Sequence, residues 1–280
     1  MELALAGKTA LVTGGSSGMG KFAAGLLAMD GARVVIVGRR QEVLDAALED
    51  LRRQVPEGQI EAFRGDASDG DSVRAMLAYA HGLADRLDII VNSVGGGAYK
   101  PLLMFDEDEV MAEYRITALS AFLLARYGVP LMGAGGSIVC VSSTAGFRSC
   151  MGLGPYNMAK AALEMFVKVA AEEFGSAGIR VNAVRPGMTR AEGTADMFVD
   201  DALVKTFTDI IPLGRVGESE DLAKVIRFLA GPESGWVTGQ VFAADGGQEL
   251  KGFPDPNPML DMIYGEDAMA QVRAGKSPVD

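Results

Sequence analysis

The sequence predicts an α/β fold, a doubly wound parallel sheet of about seven strands with helices on both faces. Three observations predict it. Short β-branched runs alternate with helical stretches along the 280 residues. Most of these runs are continuously apolar rather than apolar at every second residue, and a glycine-rich turn joins the first run to the first helical stretch. A strand apolar on both faces belongs in a sheet covered on both sides, and parallel neighbours need a helical crossover between them.

TALVT at 9–13 supplies the first strand, RVVIV at 33–37 the second and QIEAF at 59–63 the third. DIIV at 88–91, SIVCV at 137–141, IRVN at 179–182 and QVFA at 240–243 complete the set. Two helices stand out, one at 110–132 with Leu119, Phe122, Leu123 and Leu124, the other at 157–174 with Leu163, Met165, Phe166 and Val167. The first is apolar round much of its circumference, which fits either a partner subunit on its outer side or a thicker core. No low-complexity tract, repeat or flexible linker interrupts residues 1–250, so they read as one domain. Residues 251–280 form an extension in which Phe253, Met259, Met262, Ile263 and Tyr264 stand among prolines and acids. That is too apolar for a solvated tag, and the extension is expected to pack over a substrate pocket, its own or a neighbour's.

Composition narrows the function. With 49% hydrophobic and 22% charged residues the chain has ordinary globular composition. A net charge of −11 argues against nucleic acid as a partner, because phosphate backbones need a clustered positive field. Cys140 and Cys150 are too few for a disulfide framework and read as reduced thiols. No signal-peptide order and no membrane-spanning run is present, so a soluble cytoplasmic enzyme is expected. The single histidine, His81, lies in a polar stretch and is expected to be solvated, and ligands for a catalytic zinc are missing.

Thr13-Gly14-Gly15-Ser16-Ser17-Gly18-Met19-Gly20 follows the first strand and opens a helix. Glycines let the backbone turn sharply and approach a pyrophosphate, whose charge meets the positive helix terminus. A tight turn with no ligand could use them as well. The spacing Gly-x3-Gly-x-Gly behind Thr13 resembles the short-chain dehydrogenase/reductase family, in the branch built from one compact domain. The resemblance implies a Rossmann fold and a nicotinamide dinucleotide held by Gly14, Ser16, Ser17, Gly18, Met19 and Gly20.

The second strand ends in Val37-Gly38-Arg39-Arg40, with no carboxylate before Glu42. An acid at that place accepts bonds from the ribose of NAD and repels a 2′-phosphate, whereas a guanidinium bonds the phosphate. NADP(H) is therefore expected through Arg39 and Arg40, with NAD as the alternative. The competing reading, two solvated arginines at a helix start, is mildly disfavoured by the helix dipole. The resemblance adds Asp66, next to Ala67, as the acid that bonds the adenine amine, with an N-terminal cap as its bland alternative. It adds Asn92 and Gly95 from the turn after the fourth strand, where Ser93 and Val94 depart from the family pattern. Pro186-Gly187 fits the turn at the nicotinamide end. Ala191 stands where the family has a threonine that bonds the carboxamide, leaving Thr189 or Thr194 to replace it.

Tyr156 and Lys160 lie four residues apart at the start of a helical stretch, on one face. Ser142-Ser143 end the preceding strand, and Ser143 has the family's separation from the tyrosine, with Ser142 as the substitute. The resemblance covers roughly residues 5–250 and makes Ser143, Tyr156 and Lys160 catalytic. Ketone reduction adds hydride to carbon while oxygen takes a proton, and a phenol ionises only near pH 10. A neighbouring ammonium favours the phenolate, so Lys160 is expected to draw Tyr156 toward neutrality. The family's asparagine in the fifth helix, which helps hold a relay water, falls on Thr117.

The substrate loops implied by the resemblance, 94–103, 144–155 and 188–212, offer Met151, Leu153, Met188 and Phe198 to an apolar body. Core packing accounts for them equally well. Lys100, Arg148 and Arg190 could meet a carboxylate or a coenzyme A phosphate, or be surface charges. The leading expectation is an NADP(H)-dependent oxidoreductase interconverting a secondary alcohol and a ketone on a hydrophobic molecule such as a steroid, terpenoid or acyl chain. The alternatives are an enoyl thioester reductase and a non-catalytic cofactor-binding interaction protein. By family precedent the enzyme is a homodimer or homotetramer.

Overall fold

A computed structural model describes residues 3–278. Seven strands form one parallel sheet in the order β3-β2-β1-β4-β5-β6-β9. They are β1 (Thr9–Thr13), β2 (Arg33–Gly38), β3 (Ile60–Arg64), β4 (Leu87–Asn92), β5 (Met132–Val141), β6 (Arg180–Pro186) and β9 (Val241–Ala244). The two-residue strands β7 (Thr189–Arg190) and β8 (Gly217–Glu218) pair separately. β1 lies between β2 and β4, with Thr13 level with Val37 on one side and Asn92 on the other. The winding reverses there, so a crevice opens at the carboxyl ends of the strands. Every motif singled out above follows the end of a strand or opens the helix after it.

Both sheet faces are buried. Val12, Val34 and Ile36 pack under α1 (Gly18–Met29), α2 (Gln41–Gln54) and α8 (Ser219–Ala230), meeting Leu27, Leu44 and Ile226. Their strand neighbours Leu11, Val35 and Val37 face α3 (Gly70–Gly82), α5 (Ser120–Gly128) and α6 (Gly154–Phe174), meeting Leu77, Leu124 and Val167. Alternate residues thus serve opposite layers, which is why the runs are apolar without interruption.

The structure departs from or resolves the sequence reading at four places. The helix expected at 110–132 is α4 (Glu107–Tyr114), a π turn (Arg115–Leu119) and α5, ending before Pro130. Asp106 and Glu109 form a capping box that starts it earlier than the apolar pattern does. β5 begins at Met132, which pairs with Leu87, although the ladder to β4 is regular only from Ser137, past Gly135 at φ +87°. The outer side of the fifth helix stays on the surface: Phe122 is 44% exposed, its ring 6.5 Å from Phe166 on α6, where Met165 is 57% exposed. His81 is half-buried on α3 rather than solvated, with Nδ1 3.8 Å from Asp85. No described helix is long and apolar enough to cross a membrane.

The extension forms α9 (Asn257–Tyr264) and α10 (Glu266–Arg273). Leu260 is fully enclosed, within 3.5 Å of where a Cβ on Gly152 would stand, and the Tyr264 hydroxyl donates to the Tyr99 carbonyl.

Candidate active site

A cavity of about 650 Å³ runs along the carboxyl edge of the sheet. Gly14, Ser16, Ser17, Gly18 and Met19 line its middle, and Arg39, Arg40, Asp66 and Ala67 line one end. At the other end stand Ser143, Leu153, Tyr156, Lys160, Pro186, Gly187, Met188, Thr189, Gln248 and Phe253. The Gly18 amide donates to Glu192 Oε2 at 2.6 Å, so a carboxylate stands at the N-terminus of α1. Such a terminus favours negative charge.

At the catalytic end, α6 starts with Pro155 in its first turn, which presents Tyr156 and Lys160 to the cavity. The loop after β4 lies directly on them. A Cβ on Gly97 would stand 2.8 Å from Tyr156 Cγ, and one on Gly95 would stand 3.0 Å from Lys160 Nζ. Lys160, 2% exposed, donates to the Val141 carbonyl oxygen at 2.8 Å, and its Nζ lies 5.5 Å from the Tyr156 ring centre. The two serines divide. Ser143 stands beside Tyr156 and favours the ionised phenol, whereas the Ser142 hydroxyl is taken by Glu164 Oε1 at 2.7 Å. Extended backbone sends neighbouring side chains to opposite sides. Ser143 is the one placed for chemistry.

Burial dominates the electrostatics. It pushes the Tyr156 phenol up to about 12, against Ser143 and reinforced by Glu113 and Cys150. It draws the Lys160 ammonium down to about 8, against the attraction of Glu113, Cys140 and Glu164. Lys160 is therefore not, by itself, the group that brings Tyr156 toward neutrality, because its ammonium is turned onto the Val141 carbonyl. Near pH 7 Tyr156 is a phenol, in the state that donates a proton.

Residues 14–249 match a family model described as Enoyl-(Acyl carrier protein) reductase. A tropinone reductase homolog from Arabidopsis thaliana is 35% identical, covering 89% of this chain and 95% of that protein. A 3alpha-hydroxysteroid dehydrogenase from Mediterraneibacter gnavus is 33% identical, covering 88% and 98%. A solved short-chain type dehydrogenase/reductase from Mycobacterium ulcerans superposes with a TM-score of 0.91 at 32% identity, covering 96% of this chain and 99% of that one. The chain belongs to the short-chain dehydrogenase/reductase family. It is an oxidoreductase with that family's Rossmann fold, and the family works with nicotinamide dinucleotides and small-molecule substrates. The superposition reaches beyond residue 250, so the Mycobacterium ulcerans protein matches part of the extension as well.

The groove fits a dinucleotide of the kind this family uses. Glu192 already holds a negative charge at the start of α1, where a pyrophosphate could be received. Gln248 Nε2, on the groove wall, is a buried donor with no partner among the described residues. Arg39 and Arg40 are exposed and form no ion pair among the described residues. Pairing of Gly38 with Arg64 brings a third cation to that end, where Arg64 Nε donates to the Arg39 carbonyl at 3.2 Å. Asp66 Oδ1 accepts from the Ser68 amide and hydroxyl, leaving its other carboxylate oxygen with no donor among the described residues. The cap of α3 is Asp69 instead.

Three expected contacts are corrected. Asn92 lies behind the groove, its amide donating to Ser120 and accepting from Thr13, so it ties β1 and β4 to α5 rather than touching a ribose. Gly20 is off the groove too; a Cβ there would stand 2.3 Å from the Gly14 carbonyl oxygen, so it permits close helix–strand packing. Thr117 is fully buried behind Gly95 and does not itself line the groove. The candidate anion receptors are also engaged: Lys100 with Glu109, Arg148 with the Glu249 carbonyl and Arg190 with Glu218. Met151 stays exposed outside the groove. Of the threonines near the nicotinamide turn, Thr189 donates to the Gly187 carbonyl, and the Thr194 hydroxyl lies within hydrogen-bond distance of the Thr189 and Ala191 carbonyls.

Sequence reading missed the support beneath this corner. Glu164, one turn after Lys160, takes both Arg185 Nε at 2.9 Å and Nη2 at 2.7 Å, and Arg185 Nη1 reaches Glu249 at 2.8 Å. Glu164 and Arg185 are 7% and 9% exposed. The signal was a lone charge in each of two apolar runs, which calls for a buried partner. Arg185→Met strands Glu164 in the interior and should cost about 3–5 kcal/mol of stability, read as a lower urea midpoint. An unchanged midpoint would show that the pair is dispensable.

Proposed function

We propose that this enzyme uses NADP(H) to interconvert a ketone and a secondary alcohol on a hydrophobic small molecule. The observation that carries this reading is the Tyr156 phenol beside Ser143, facing the groove between a turn suited to a nicotinamide and an apolar end. Tyr99, Leu153, Met188, Met197, Phe207 and Phe253 supply that apolar end, Phe253 coming from the extension. The tropinone reductase homolog and the hydroxysteroid dehydrogenase bear names of carbonyl and alcohol chemistry, which supports it.

The cofactor's nicotinamide ring supplies or accepts the hydride. Ser143 orients the substrate oxygen, Tyr156 gives that oxygen its proton, and Lys160 supports Tyr156 and the ribose. Gly14, Ser16, Ser17, Gly18 and Met19 would hold the pyrophosphate, Arg39 and Arg40 the 2′-phosphate, Asp66 the adenine, and Gly187 and Thr189 the nicotinamide end. Phe253 closes the substrate end. The exposed helix face around Phe122 and Met165 suits contact with a second copy of the chain, and a monomeric mass by light scattering would contradict that contact.

The family model's description motivates the second reading, reduction of a carbon–carbon double bond in an acyl thioester. One assay separates the two. NADPH consumption is followed with a panel of apolar cyclic ketones and, separately, with enoyl thioesters. Turnover of ketones is expected; turnover of the thioesters alone would replace this reading by the second.

A further inference from the structure

Each proton that leaves Tyr156 must be replaced from water, yet Lys160 behind it is buried. Thr117, in the π turn, and Glu113, in the last turn of α4, stand near this pair. Thr117 takes the place of the family's asparagine, and its hydroxyl donates to Glu113 Oε1 at 2.8 Å. A Cβ on Gly95 would stand 3.0 Å from Lys160 Nζ and 3.4 Å from Thr117 Oγ1, so ammonium and hydroxyl flank the same backbone position, and a water between them would complete the link. Glu113 itself is half-buried, at the boundary between this interior and the surface. A π turn adds a residue to the helical turn and so re-aims the side chains before it by about 100° relative to those after it.

Charge couples the same groups. Burial raises the Glu113 carboxyl above its ordinary range, while Thr117 and Lys160 oppose the rise. Glu113 in turn raises both Tyr156 and Lys160; Cys150 also acts on Tyr156, and Cys140 and Glu164 on Lys160.

We propose that Glu113, acting through Thr117, exchanges the catalytic proton with solvent in this enzyme. The proposal rests on Tyr156 being the proton donor to a substrate oxygen. In reduction, hydride from the nicotinamide cofactor reaches the carbonyl carbon while the Tyr156 O–H bond breaks and its proton goes to the oxygen. The phenolate takes a proton from the Lys160 ammonium. Lys160 recovers it from the Glu113 carboxylic acid by way of Thr117, and the Glu113 carboxylate is reprotonated by water. Oxidation runs the same transfers backwards. Glu113 and Thr117 are positioning and relay residues, since neither lines the groove.

The test uses the full chain with NADPH and a ketone that the wild type reduces. Glu113→Gln keeps the size and the acceptor for Thr117 but carries no exchangeable acid proton. It should lower kcat about tenfold with KM within twofold, raise the solvent deuterium isotope effect on kcat, and regain rate on addition of acetate. Thr117→Val should lose rate similarly and Thr117→Ser should keep it, which maintains the test if Glu113→Gln folds poorly. Without turnover, the tyrosinate absorbance assigned to Tyr156 by difference from Tyr156→Phe should move to lower pH in Glu113→Gln. If Glu113→Gln or, should it misfold, Thr117→Val keeps wild-type kcat and pH profile, the proposal is overturned alone. A wild type inert to every ketone overturns the reductase reading and the proposal with it.

Discussion

Tyr156→Phe should lower turnover by about 10²–10⁴-fold while leaving NADPH affinity within about twofold, since general acid–base catalysis contributes on that scale. The substitution removes one oxygen from the groove and no part of the packing against Gly97. Calorimetry and initial rates on the same preparation separate the two effects. Equal loss of binding and turnover would mean that Tyr156 builds the cofactor site instead. The pH profile of the wild type gives a second reading. Because burial holds Tyr156 up at about 12, the donor stays protonated across the neutral range. Lys160 is depressed, so its charge is present below about pH 8 and lost as pH rises through that value. For reduction, kcat/KM should therefore be level below pH 8 and fall above it. A level profile up to pH 10 would contradict the role given to Lys160.

Arg39→Ala should weaken NADPH binding by about 10- to 100-fold and NADH binding by less than about threefold, the span of one to two charged hydrogen bonds. The contrast follows from which atoms the two cofactors share. In the proposed binding mode Arg39 and Arg40 would meet only the 2′-phosphate, whereas the Glu192 carboxylate, which accepts from the Gly18 amide, would stand near the pyrophosphate common to both. Glu192→Gln removes a like charge there and should tighten both cofactors by the same factor. Equal weakening of NADPH and NADH by Arg39→Ala would remove the phosphate assignment. No change at all would make Arg39 a solvated residue.

Most of the fold was legible because the seven strands are continuous apolar runs, and a period broken by glycine turns leaves little freedom of assignment. The candidate catalytic corner could be located because Tyr156 and Lys160 sit four residues apart on one helix, and both line the groove. What escaped depends on contacts across the sheet. Arg64 joins Arg39 only through the pairing of β2 with β3. Glu164 meets Arg185 twenty-one residues away, and each alone reads as an isolated charge. Asn92 and Gly20 occupy motif positions, so spacing assigned them to the ligand, although their neighbours Ser120 and Gly14 use them for packing. The π turn has no pattern of its own: inserting one residue leaves the apolar face intact and only re-aims Glu113 and Thr117. Spacing to Tyr156 already favoured Ser143 over Ser142, and backbone alternation at the end of β5 adds the reason: the Ser142 hydroxyl is taken by Glu164.

The measurement that tests the account most directly is incubation of the full-length enzyme with NADPH deuterated at the transferring nicotinamide carbon and an apolar cyclic ketone. The alcohol formed should carry one deuterium, on the carbinol carbon. The same incubation with Tyr156→Phe should give almost none. An enzyme that binds NADPH yet transfers no deuterium to any ketone offered would contradict the account and leave a cofactor-binding protein without carbonyl chemistry.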